Sequence, residues 1–87
     1  MHPKVSIVTS TYNGEQYLKE SVGSMLGQTF EDFEFIIVDD GSTDNTLEKL
    51  QQMDDPRIRI FQQSNQGQTN ALIAGVEQAQ GELIARI

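Results

Sequence analysis

The feature that most constrains this chain is the apolar run Phe35-Ile36-Ile37-Val38, which stops abruptly at Asp39-Asp40-Gly41-Ser42. A continuous apolar run of this length, rich in β-branched residues, suits a strand covered on both faces, as in a parallel sheet flanked by helices. The segments around it agree. Val5 to Ser10 is β-branched and loosely alternating, and Arg57 to Phe61 alternates more cleanly, so both read as strands. Between them lie stretches with helical spacing: Leu18, Val22, Met25 and Leu26 after Glu15, with Gly27 closing the helix, then Leu47, Leu50 and Met53. Residues 68–79 form a third helix expected to turn Ala71, Leu72, Gly75, Val76 and Ala79 inward, and Glu82 to Ile87 opens a fourth strand.

The predicted order is β-α-β-α-β-α-β. Such alternation implies right-handed crossovers and an α/β, Rossmann-like parallel sheet with helices on both faces. Ser42 or Thr43 is the expected N-cap of the second helix, with Asp44 in its first turn, and Gln62 to Gly67 reads as polar loop.

With 87 residues the chain makes one small domain or a piece of a larger one. The net charge is −7, and Lys4, Lys19, Lys49, Arg57, Arg59 and Arg86 are scattered, so there is no basic patch for a nucleic acid. No apolar run approaches the ~18 residues of a membrane span, and no signal-peptide pattern opens the sequence. The absence of cysteine excludes a disulfide framework and fits a reducing, cytoplasmic compartment.

Open α/β sheets bind ligands beyond the carboxyl ends of their strands. Three polar segments converge there: Ser10 to Asn13, Asp39 to Ser42, and Asn65 to Gln68. They contain neither a dinucleotide-type Gly-x-Gly-x-x-Gly nor a Walker A loop. They offer instead an aromatic ring (Tyr12), two adjacent acceptor-only carboxylates (Asp39, Asp40) and several amide side chains. That set suits a neutral planar base whose ring N–H needs an acceptor, such as uracil. Taken singly each residue has a plainer explanation: Tyr12 as packing, the aspartates as turn or cap chemistry, Asn65 and Gly67 as loop. Their placement together at one sheet edge is what points to a site.

Two other readings use the same residues. A magnesium-dependent phosphotransfer domain would employ Asp39-Asp40 as ligands, but it needs a partner lysine at a strand end, and Lys19 and Lys49 fall within helices. A non-catalytic α/β binding module is the other. Adjacent residues of an extended strand point to opposite faces, so Asp39 and Asp40 are poorly placed to chelate one ion.

Four segments together resemble family 2 glycosyltransferases: KVSIVTSTYN (4–13), SMLGQTF (24–30), FIIVDDGSTD (35–44), and NQGQ (65–68) followed by Gly75 and AQGE (79–82). The resemblance runs through nearly the whole chain in the family's order. It implies a GT-A fold that transfers a sugar, with inversion, from a nucleotide-diphosphate donor, usually UDP-linked. By the resemblance Asp40 accepts from the base N3–H, Tyr12 packs on the base, and Ser10 offers a backbone contact where many members have proline. Asp39 supports Asp40, and Asn65 to Gln68 face base and ribose, without the basic residue that many relatives carry nearby. The nucleotide-binding set is therefore Ser10, Tyr12, Asp39, Asp40, Asn65 and Gln68.

The family's Asp-x-Asp metal motif is expected directly after Ile87, with the catalytic base later still. Residues 1–87 then form the N-terminal nucleotide-sugar-binding portion, truncated before that motif. No catalytic or metal-ligating residue is assigned within it. Magnesium or manganese is expected in the full-length enzyme, for which membrane association is the alternative to a purely cytoplasmic location, and the short chain is expected to be inactive and to bind no metal. The partners are a nucleotide-sugar donor and an acceptor that these residues do not specify. An uncovered apolar edge at Leu83, Ile84 and Ile87 is expected to favour self-association.

Overall fold

A computed structural model describes residues 3–27 and 32–86. The elements follow the expected alternation: β1 (Val5–Thr11), α1 (Leu18–Leu26), β2 (Phe33–Asp40), α2 (Thr46–Gln51), β3 (Ile58–Gln63), α3 (Gln68–Glu77) and β4 (Leu83–Arg86). The strands form one sheet in the order β3-β2-β1-β4, every neighbouring pair parallel. The first two crossovers step one way across the sheet, and α3 carries the chain back past β1, which reverses the direction of winding. Right-handed crossovers then put α3 on the opposite face from α1 and α2, giving the Rossmann-like arrangement.

β2 is central in the packing, and its whole length is buried. Phe33, Phe35 and Ile37 meet Leu18 and Val22 of α1 and Leu50 of α2 on one face. Ile36 and Val38 meet Val8, Ala71 and Leu72 on the other. Burying a side chain such as Ile36 or Ile37 contributes about 1.5–3 kcal/mol, and both are fully buried here. Gly75 lets α3 lie close on this second face. A Cβ there would sit 2.4 Å from Val8 Cγ1 and 3.2 Å from Val38 Cγ2.

Several local expectations are corrected. β2 extends beyond its apolar run to include Glu34, Asp39 and Asp40, because all three acids find hydrogen-bond donors inside the fold. Gln62 and Gln63 are strand, not loop, paired with Asp39 and Asp40 in the β2–β3 ladder. α1 begins at Leu18 after a turn closed by the Tyr17 N–H on the Gly14 carbonyl at 2.9 Å. The N-cap of α2 is Asn45, and Asp44 accepts from the Thr46 N–H at 3.0 Å and from its hydroxyl. Ser42, one of the two expected caps, is drawn to Asp39 instead. Val76 is exposed, because α3 turns Ala71, Leu72 and Gly75 to the sheet. β4 starts at Leu83, and its Leu83 and Ile84 are exposed. Gln28, Thr29, Phe30 and Ile87 lie outside the described residues.

The amino ends of the strands hold a buried polar knot. The Ser6 hydroxyl and the Gln80 N–H donate to Glu34 Oε2 at 2.5 and 2.6 Å, and Arg59 Nη1 donates to Glu34 Oε1 at 2.7 Å. The Gly81 N–H donates to Ser6 Oγ, and Arg59 also reaches the Gln78 carbonyl. Burial opposes ionisation of Glu34, but the donors from Ser6, Gln80 and Arg59 outweigh it and hold its pKa below the ordinary carboxylate value. This knot fixes the exit of α3. No described helix is long and apolar enough to cross a membrane.

Candidate functional site

At the carboxyl ends of β1 and β2 the backbone turns sharply. Asn13 adopts φ 52°, Gly41 φ 71° and Gly67 φ 98°. Gly41 is required twice over: its φ is left-handed, and a Cβ would lie 2.5 Å from the Asn65 backbone nitrogen. Asn13 ties the first two loops together. Its Oδ1 accepts from the Thr43 N–H at 2.8 Å, and its own N–H donates to Ser42 Oγ at 2.9 Å. Glu15 adds a bond from the Asn45 N–H and an ion pair with Lys49 at 3.5 Å. The loop that carries Tyr12 is thus anchored to the loop that follows β2.

A cleft of about 410 Å³ opens beside these turns, lined by Ser10, Thr11, Tyr12, Asp40, Asn65, Gly67 and Gln68. Its size falls within the ~300–1,000 Å³ of small-molecule sites. It brings together Ser10, Tyr12, Asp40, Asn65 and Gln68 from the sequence-predicted set. Tyr12 is 52% exposed, so its ring is free to cover a ligand. No basic side chain is in the lining.

Asp40 is 3% exposed and is held from below by neutral donors only. Its Oδ1 accepts from Gln63 Nε2 at 2.9 Å and from the Gln66 N–H at 2.8 Å, and its Oδ2 accepts from the Gly67 N–H at 3.0 Å. A carboxylate has about four lone-pair positions, so one on Oδ2 is still available. The Gln63 bond, followed by that from Gln66, outweighs burial, and with the Gly67 bond they keep the pKa of Asp40 below its ordinary value. Asp40 is therefore an ionised acceptor at neutral pH. Asn65 braces the same strand end from its side chain, donating to the Asp40 carbonyl at 3.1 Å.

Asp39 does not join the cleft lining. It pairs with Thr11 in the β1–β2 ladder, and its Oδ1 accepts from the Ser42 N–H and hydroxyl. Its Oδ2 is buried with no hydrogen-bond partner among the described residues. The adjacent acids thus serve opposite sides of the sheet, as expected for neighbours on a strand, and the pair does not form a chelate. Among the described residues no cluster of three or more His, Cys, Asp or Glu could hold a metal ion. Gln63 was missed by sequence reasoning, which placed it in a loop. The signal that finds it is the strand register, which sets Gln63 directly beside Asp40.

Comparison with known proteins bears on this geometry. The sequence profile described as Glycosyl transferase family 2 matches residues 6–87. An uncharacterized glycosyltransferase of Nostoc sp. is 44% identical over 85 residues, which cover 94% of this chain and 26% of that protein. The crystal structure of S. aureus TarS 1–349 in complex with UDP-GlcNAc superposes with a TM-score of 0.90 at 31% identity, over 97% of this chain and 26% of that one. A mannosyltransferase of Pyrobaculum calidifontis, in complex with GDP-Man and Mn2+, has a TM-score of 0.86 at 23% identity and shares the fold. The chain spans about a quarter of the length of these proteins.

Proposed function

The chain belongs to glycosyl transferase family 2, and from that premise we propose that it is the N-terminal part of an inverting glycosyltransferase and recognises the base and ribose of a UDP-sugar donor. The observation that carries this reading is the Asp40 carboxylate. It stands at the cleft with no cation beside it among the described residues, tied by Gln63 and two backbone N–H groups, with one acceptor position left. Uracil fits that position because its N3–H is a single donor flanked by carbonyls. Tyr12 would cover the ring, and Ser10, Asn65 and Gln68 would border base and ribose. The bound UDP-GlcNAc of the TarS relative supports a uridine donor.

Within this chain the chemistry is binding and orientation. Asp40 takes the base N–H, and its fixed position sets where the diphosphate emerges. A divalent cation held by residues outside 1–87 would neutralise charge on the departing diphosphate. Asp39 and Asp40, each engaged on its own side of the sheet, do not fit that ion. Inversion is the outcome expected of the family, and sugar transfer is proposed for the whole protein, of whose relatives this chain spans about a quarter.

The test is an NMR titration of the chain with UDP and CDP. Cytosine presents a lone pair at N3, which a carboxylate repels. We expect UDP to bind at roughly millimolar Kd, about −4 kcal/mol, and CDP about tenfold more weakly. Asp40→Asn should erase that preference. Equal binding of the two nucleotides by the unmodified chain would overturn the assignment.

A further inference from the structure

The hydrogen bonds around Asp40 restrict more than its orientation. In β3, Gln63 stands opposite Asp40 in the ladder and places Nε2 on Oδ1 at 2.9 Å, where the Gln66 N–H already arrives at 2.8 Å. Two donors fill the lone pairs of that oxygen. Oδ2 has one donor, the Gly67 N–H at 3.0 Å. A base approaching through the cleft therefore finds one open acceptor, on one oxygen.

This matters for choosing among bases. Guanine presents two parallel donors, N1–H and the 2-amino group, and pairs well with a carboxylate only when both oxygens are open. Uracil presents one. Two of the three donors on Asp40 are backbone groups, which no substitution short of proline removes. Gln63 supplies the third from a side chain, so the open valence of Asp40 is set by a replaceable residue. It is partly buried at the end of β3, with its backbone in the sheet.

We propose that Gln63 is a specificity-determining positioning residue: by occupying Asp40 Oδ1 it restricts the carboxylate to a single ligand donor and excludes guanine in favour of uracil. The inference rests on the base-recognition reading above and extends it to a residue of β3 that does not line the cleft. Gln63 touches Asp40 and acts through it.

The experiment compares UDP, GDP and CDP binding to the unmodified chain, Gln63→Leu and Gln63→His. Leucine keeps the bulk and removes the donor, which opens Oδ1. The UDP-to-GDP affinity ratio should fall about tenfold, with the GDP constant improving in absolute terms. Histidine in its neutral form restores an uncharged N–H donor at Oδ1 and, measured at about pH 8, should keep the ratio within about twofold of the unmodified chain. A parallel loss of UDP and GDP binding in Gln63→Leu would show a merely structural role and overturn the proposal, as would no change in either. Should Gln63→Leu fail to fold, Gln63→Ala carries the same test, since it also removes the donor. Failure of the underlying reading looks different: the unmodified chain would then not distinguish UDP from CDP, and the inference would fall with it.

Discussion

Of the three buried carboxylates of β2, Glu34 and Asp40 make opposite use of similar surroundings. Glu34 at the amino end and Asp40 at the carboxyl end lie on the same face of the strand, the face covered by α3. Glu34 receives the Gln80 N–H just after α3, and Asp40 receives the Gln66 and Gly67 N–H groups just before it. Together they clasp the helix at both ends. The difference is charge. Glu34 is matched by Arg59 at 2.7 Å and capped by Ser6, so its demand for donors is met within the fold. Among the described residues Asp40 has neutral donors only, and it borders an open cleft. A buried carboxylate with a cation is a structural tie, whereas one without a cation at a cleft still has charge to offer a ligand.

Removing the structural tie should give the largest effect. Glu34→Ala leaves Arg59 unpaired and strands the Ser6 hydroxyl and the Gln80 N–H. Breaking a buried pair costs about 3–5 kcal/mol, and the 31% exposure of the Arg59 side chain places this case near the lower end. Urea denaturation should show a loss of about 3 kcal/mol. The UDP-to-CDP preference of the folded fraction should be unchanged. If Glu34→Ala erased that preference, the division between the two ends would be broken.

An intermediate effect is expected from the middle of the clasped helix. Gly75→Ala drives a methyl group into Val8 Cγ1, 2.4 Å away, and should cost about 1–3 kcal/mol by overpacking. Lifting α3 disturbs its amino end as well, so UDP binding should weaken modestly alongside stability. Thermal denaturation and titration on the same sample check this. A melting temperature equal to that of the parent chain would show that the helix does not lie as close as described.

Acid gives the smallest effect and sharpens the comparison. Both pKa values are depressed in the folded state, from ordinary values of 4.5 for Glu34 and 3.8 for Asp40. A carboxylate depressed on folding contributes stability that is complete above its unfolded pKa and is lost as pH falls through its folded pKa. Stability should thus be level above about pH 5 and decline below it. Glu34→Gln should flatten the part of that decline that begins as pH falls toward 4.5, and Asp40→Asn the part that begins toward 3.8. An identical acid limb in all three proteins, measured by denaturation at each pH, would argue that neither carboxylate is held as described.

Much of the fold was legible in the residues. The run Phe35 to Val38 pointed to a strand covered on both sides, and the spacing of Leu18, Val22 and Leu50 gave helices for one of them. That Ser10, Tyr12, Asp40, Asn65 and Gln68 would share one cleft was also legible, because chain ends of parallel strands converge by topology. Glu34 and Gln63 were not. An acid beside an apolar run reads as a strand boundary, and a glutamine after a strand reads as loop, unless the partner that satisfies each is known. Those partners are far along the chain, Arg59 for Glu34 and Asp40 for Gln63.

The sequence by itself determined the alternation of elements, the two-sided burial of β2 and the gathering of polar loops at one edge. These follow from periodicity, and periodicity is local. Tertiary structure decided which carboxylate was matched by a cation and which was left facing the cleft with neutral donors. That choice depends on strand register, which sets Gln63 opposite Asp40, and on the return of α3, which brings Gln80 to Glu34. Both acids have the same chemistry as isolated side chains. The donors that the fold delivers to each make them different.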